Sequence, residues 1–226
     1  MENELSVYDF YKSRKKLHEI AKEGLKENKG KSLSISLFLI LSQLAFIGGV
    51  LLIVFSFLPS SKLSNSPVIW IIIGSILILV AMFTYGPLKI SLCKISKNMV
   101  ENTNPSFSDI KYGFKVHYGR NVFYGIRTFF VYLFGFILLV FPFILVFPRY
   151  QISGYILVEN EDYTIKEAAH LAKNYTKGNV GRYIALFFSF AKYWIFLVIT
   201  AFIYDLWLRP KYYSVMYCYY KDIAEF

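Results

Sequence analysis

Residues 33–58 read LSISLFLILSQLAFIGGVLLIVFSFL and residues 68–85 read VIWIIIGSILILVAMFTY, and neither stretch contains a charged side chain. The hydrocarbon core of a bilayer is crossed by roughly 20 apolar residues in a helix, and backbone in lipid must satisfy its own hydrogen bonds. These two stretches therefore predict a pair of transmembrane helices joined by a short turn. Two further apolar regions, 122–147 and 183–208, are interrupted by one or two charges each. Across the 226 residues 56% are hydrophobic and 19% aromatic, which leaves too little polar surface for a soluble monomer of this size. The first apolar segment is too long for a secretory leader and runs into Leu58-Pro59-Ser60 without a small-x-small cleavage site, so it is expected to stay as an anchor.

The formal charge of +10 sits beside the apolar segments instead of forming a free-standing patch. That distribution points to membrane orientation and anionic headgroups, not to nucleic acid. Cys93 and Cys218 are too few for a disulfide framework and read as reduced packing residues.

A pattern recurs three times along the chain. A capping signature comes first, at Ser6 with Asp9, Ser106 with Asp109, and Thr164 with Glu167. An amphipathic basic segment follows, as in 10–27 with Leu17, Ile20, Ala21 and Leu25 on one side, and is expected to lie on the membrane surface. It ends at a Gly beside Lys or Arg (Gly30, Gly119, Gly178), and an apolar pass starts there. After each outer turn a proline opens the return: Pro87, Pro148 and Pro210. The sharpest shared element is Val-Glu-Asn, at 100–102 and again at 158–160.

The order predicts three helical hairpins, about 33–102, 122–160 and 180–222, preceded by a basic cytoplasmic segment 1–32 and forming one membrane domain over 33–226. A four-pass alternative leaves 149–179 outside. Lys and Arg crowd the segments before the first, third and fifth passes, whereas the opposite turns hold only Lys62, Arg149, Arg209 and Lys211. Both termini are then expected in the cytoplasm. The Tyr-rich stretch 212–220 reads as a returning helix with its rings at bundle and interface positions.

The stretch YILVENEDYTIKEAAHLAKNYTKGN at 155–179, with Ser189, Trp194, Arg209-Pro210-Lys211-Tyr212 and Tyr219-Tyr220 after it, resembles a family of uncharacterised bacterial integral membrane proteins, numbered 975 among the domains of unknown function. The likeness rests on spaced Gly, Pro and aromatic positions, is strongest from Pro142 onward, and implies a bacterial membrane location. It implies no activity. Similar repeats occur in the non-catalytic membrane region of some glycerophosphodiesterases, a more distant likeness. Where a polar Ser or Thr often opens the family's motif ahead of the glycine, this chain has Asn174 and Thr176.

Membrane enzymes need nucleophiles, bases or metal ligands in fixed register. The sequence has no His-Glu-x-x-His, Gly-x-Ser-x-Gly or P-loop, and no pair of acids inside a pass. No enzyme activity, cofactor or metal is expected. Glu159, Glu161 and Asp162 read as solvated carboxylates beside a cap, and His18, His117 and His170 as surface histidines. Charges within passes carry more information, because each must snorkel, pair or meet water. Arg127 lies near the start of its pass and is placed to snorkel; Asp205 and Arg209 read as an interfacial pair; Gln43 is placed to hydrogen-bond between helices. Lys192 falls either at the cytosolic interface as an anchor or, if its pass starts near Tyr183, in an internal polar cavity. Arg14, Lys15 and Lys16 are the candidate headgroup contacts.

The expected architecture is an all-α polytopic bundle of six passes with three basic surface helices. The expected role is a non-enzymatic membrane scaffold or accessory subunit that binds lipid or a membrane partner. A small solute or peptide transporter, exporter or immunity-type permease is the alternative.

Overall fold

The computed structural model describes residues 13–58, 66–103, 105–138, 140–190, 193, 200 and 204–224, with residues 27, 29, 31, 32, 135–138 and 140–145 described by their backbone. The described chain is all-α and contains no strand. Its helices are α1 (Arg14–Glu27), α2 (Lys29–Ser56), α3 (Pro67–Val100), α4 (Tyr112–Lys115), α5 (Tyr118–Leu138), α6 (Val140–Glu159), α7 (Ile165–Thr176), α8 (Val180–Phe188) and α9 (Asp205–Ala224). A 3₁₀ turn, Phe107–Lys111, leads into α4.

Two helical stretches are long and apolar enough to cross a membrane, Leu33–Ser56 within α2 and all of α3, Pro67–Val100. Only 11% of the apolar window in each is buried, so they are not the hidden core of a soluble protein. They pack as an antiparallel pair whose close approach is set by glycine. A Cβ on Gly49 would stand 2.6 Å from the Gly74 carbonyl oxygen, and one on Gly74 would meet the Gly49 carbonyl at 2.6 Å. Ser42 on α2 and Thr84 on α3 hydrogen-bond at 3.0 Å across the same seam.

α3 changes character along its length. The 34-residue helix is about 51 Å long, well beyond the ~30 Å hydrocarbon thickness. Its first part exposes Val68, Ile69, Ile72, Ile76, Leu79 and Val80, whereas from Gly86 to Ser96 almost every residue is buried. The surrounding wall is built by the other returning helices, each with its proline inside the helix. Ile152 and Tyr155–Val158 of α6 and Ser214–Tyr220 of α9 are buried beside Ile90 and Cys93 of α3. Proline lacks an N–H, so Pro87 frees the Phe83 carbonyl, and Tyr118 donates its hydroxyl there at 3.4 Å. Neither cysteine is in a disulfide, and both are buried.

The capping boxes at Ser106/Asp109 and Thr164/Glu167 form as the sequence predicts, the first opening only the 3₁₀ turn. Ser6 and Asp9 lie outside the described residues. α1 is capped instead by Ser13, whose hydroxyl accepts from the Lys16 N–H. The amphipathic helices differ from expectation in what they bury. Leu17 and Ala21 of α1 pack into the core against α9 and α3, and Ala168 and Ala172 of α7 pack against α6. Their apolar stripes face protein, not lipid, because the buried ends of α3, α6 and α9 present larger apolar surfaces nearby. The pass expected from 180 is helical to Phe188. There Ser189 turns its hydroxyl back to the Leu186 carbonyl and meets His18 Nε2 at 2.8 Å, a local bond that competes with continuing the helix.

Candidate functional site

Polar side chains inside an apolar bundle are costly unless they serve packing or a ligand. Among the described residues three groups that include charged side chains bear on function.

The first stands halfway along α2. Gln43 is the fifteenth residue of this 28-residue helix, and its Oε1 accepts from Arg209 Nη2 at 2.9 Å. The same guanidinium is ion-paired with Asp205, one turn earlier on α9. The pair expected between Asp205 and Arg209 forms and takes in Gln43: α9 starts level with the middle of α2, and packing between these helices carries its first turn to Gln43. A cavity of about 720 Å³ opens beside the cluster, between α2, α3, α5 and α9. Ile40 and Phe46 of α2, Tyr85 of α3, Ile126 and Phe129 of α5 and Leu206 of α9 make its lining mainly apolar. The glycine contact of α3 with α5 shapes one wall: Gly86 and Gly125 lie so close that a Cβ on either would run into the other helix's backbone.

The second is Lys89. Its side chain is 1% exposed, and its ammonium has no hydrogen-bond partner among the described residues. Nζ lies over the rings of Tyr124 at 5.2 Å and Tyr132 at 5.4 Å. Sequence reasoning counts Lys89 only among the basic residues that precede the third pass. In the sequence it sits between Pro87 and Cys93 among mainly apolar neighbours, a setting it shares with lysines that flank a pass in water.

The third group joins the ends of the three returning helices. The two glutamates of the repeated Val-Glu-Asn, Glu101 and Glu159, both meet the Tyr217 hydroxyl of α9, that of Glu159 at 2.9 Å. Glu159 also accepts from Tyr220 at 2.6 Å and from Lys221 Nζ at 3.4 Å, with Lys97 at 4.0 Å. Burial alone would raise the Glu159 carboxyl, but the phenol hydrogen bonds and the two lysines outweigh it and hold the carboxyl below its ordinary range. Beside it Arg182 pairs with the buried Asp222 at 2.6 Å and lies over the Tyr219 ring. Two residues that the sequence marks only as a repeat thus become one junction.

The remaining sequence-derived residues that the structure describes do not join the cavity. Arg127 is exposed on α5, donating from Nε to the Tyr150 hydroxyl at 3.0 Å. Lys192 lies outside the described residues. Arg14, Lys15 and Lys16 are exposed on the first turn of α1, with Arg14 reaching the Ala185 carbonyl at 3.4 Å. His18, His117 and His170 stand apart, at Ser189, at a left-handed turn before α5 and on the outer side of α7.

The arrangement can hold an amphiphile: a long apolar trough with hydrogen-bonding groups at one wall. No family model, curated protein or solved structure matches the chain.

Proposed function

We propose that this chain is a multi-pass protein of the bacterial cell membrane that binds lipid within its bundle and acts as a non-enzymatic scaffold or accessory subunit. The observation that carries the reading is the 720 Å³ apolar cavity among helices with outward-facing apolar surfaces, polar chiefly at Gln43, Asp205 and Arg209. Such a site suits an acyl chain, with Arg209 and Gln43 holding a polar group that would otherwise be stranded in hydrocarbon. Six passes in three hairpins with cytoplasmic termini fit the repeat order, the positive-inside charge pattern and the resemblance to the uncharacterised membrane family. Exposed Arg14, Lys15 and Lys16 on α1 are placed for anionic headgroups, each such charge being worth about 1 kcal/mol near the surface.

A transporter is the second reading, and the mid-helix position of the Gln43–Arg209–Asp205 cluster favours it, since transported solutes are commonly held near the bilayer midplane. One preparation separates the two. The protein is purified in mild detergent and its bound lipids and proteins are identified, for wild type and Arg209→Met. Retained lipid that the variant loses, or a stoichiometric membrane partner, supports the scaffold reading. Solute flux by the isolated protein in proteoliposomes, with no retained lipid or partner, would replace it with transport.

A further inference from the structure

A second groove, of about 580 Å³, lies between α2, α3 and the segment joining α3 to α5. Phe38 and Leu41 of α2, Val80 and Leu88 of α3, and Ile110 and Phe114 of the joining segment line it. This wall is built, not draped. Asp109 is committed to the Ser106 backbone N–H at 2.8 Å and to Asn98 Nδ2 at 3.0 Å. The Gly113 N–H donates to Ser91 Oγ at 2.9 Å, and Asn121 Nδ2 donates to the carbonyls of Gly113 at 2.8 Å and Val116 at 2.7 Å. Gly113 sits so near the Pro87 carbonyl that no side chain would fit between them. The segment therefore climbs back along α3 from Asn98 to Pro87 and presents apolar side chains beside the membrane-facing hairpin.

One charged residue, Lys111, lines this groove. It is exposed and makes no ion pair among the described residues, and Lys115, also exposed, follows four residues later. Phe107, 64% exposed, stands at the same rim. An apolar slot with an unpaired cation and an exposed aromatic ring at its mouth is complementary to one kind of occupant. We infer that the groove formed by α2, α3 and Phe107–Phe114 is a binding site for an anionic phospholipid, with an acyl chain in the slot and the phosphate at Lys111. The inference rests on the membrane reading above, but uses different residues from the Arg209 cavity.

Delipidated full-length protein in detergent is titrated with phosphatidylglycerol and with phosphatidylcholine of identical chains, and bound lipid is counted by native mass spectrometry. Wild type should prefer phosphatidylglycerol about fivefold or more, the size expected for one near-surface lysine. Lys111→Gln should remove the preference and Lys111→Glu should reverse it. Ala45→Phe, which fills the slot away from Lys111, should weaken both lipids. A tenfold excess of inorganic phosphate should displace neither. Equal binding of the two lipids by wild type, an unchanged preference in Lys111→Gln, or displacement by phosphate would overturn the inference. So would a co-purifying membrane helix of another protein that Ala45→Phe releases while lipid binding is unchanged. If Ala45→Phe does not fold, the two Lys111 variants decide alone. Alkaline carbonate extraction separates the two levels: wild type released to the soluble fraction sinks the membrane reading too, whereas an embedded protein indifferent to headgroup sinks only this site.

Discussion

Lys89 sets two opposing effects against each other. Enclosing an ammonium costs several kcal/mol, while two aromatic faces return about 2 kcal/mol when desolvated. The cost wins, so Lys89→Met, which keeps most of the stem, should leave insertion intact and raise the apparent midpoint of thermal unfolding by roughly 2–4 °C. A fall of more than a few degrees would mean that the ammonium has a partner of greater worth than the two rings. Glu159 is the opposite case, a charge held by many donors. Its carboxyl is lowered from 4.5, so its contribution is fully present above that value and is lost as pH falls through the lower value of the folded state. Glu159→Gln should therefore cost ~1.5–3 kcal/mol at neutral pH, and the gap to wild type should close only in acid, below about pH 4. A midpoint difference that shrinks between pH 7 and pH 5 would contradict this origin. Neither residue's role was legible in the sequence: a lysine after an apolar run looks the same whether water or tyrosine surrounds it, and the donors to Glu159 come from α3 and α9.

Helices α2 and α3 were legible because a long run without charge has one outcome in lipid, whatever else the chain does. Their seam was less so, since neighbouring Gly48 and Gly49 look equivalent. Only Gly49 meets α3, and nothing lies within 4 Å of a Cβ at Gly48. Gly48→Ala should thus be neutral or stabilise by up to ~1 kcal/mol through helix propensity, whereas Gly49→Ala and Gly74→Ala force the two backbones apart and should lower the yield of folded protein. Equal tolerance at 48 and 49, read by size-exclusion chromatography and thermal midpoint, would show that the helices do not cross there. The short amphipathic helices teach a different limit. Periodicity identified the stripe of α1 and a capping box the start of α7, yet neither says what covers the helix, and the cover proved to be α3 and α9 for the first and α6 for the second.

At the scale of the whole molecule the sequence predicts an orientation and is silent on how the helices dock. Thr164 and Glu167 announce α7 through a local capping box, and the basic residues around it predict a cytoplasmic position. Asn174 is exposed on α7, while Cys93 and Cys218 are buried, so Asn174→Cys supplies the one readily reactive thiol of the described residues. In intact cells it should resist an impermeant maleimide and react after permeabilisation; labelling from outside would leave the four-pass arrangement standing. The meeting of Arg209 with Gln43 was illegible for a converse reason. It depends on where α9 docks against α2, a fact of packing that no local spacing encodes.

That docking has a consequence for how the protein is made. α9 touches α1, α2, α3, α6 and α7, and it brings Val215, Tyr217, Tyr219 and Tyr220 to the centre of the core. Until the ribosome has delivered the twenty residues of this helix, Leu17 and Ala21 lack their main cover, and Glu101 and Glu159 wait without their shared phenol. The elements made before it cannot finish folding: they keep an open apolar seam and two carboxylates that lack a donor. Closure of the core thus waits on α9, in whatever order the other helices settle.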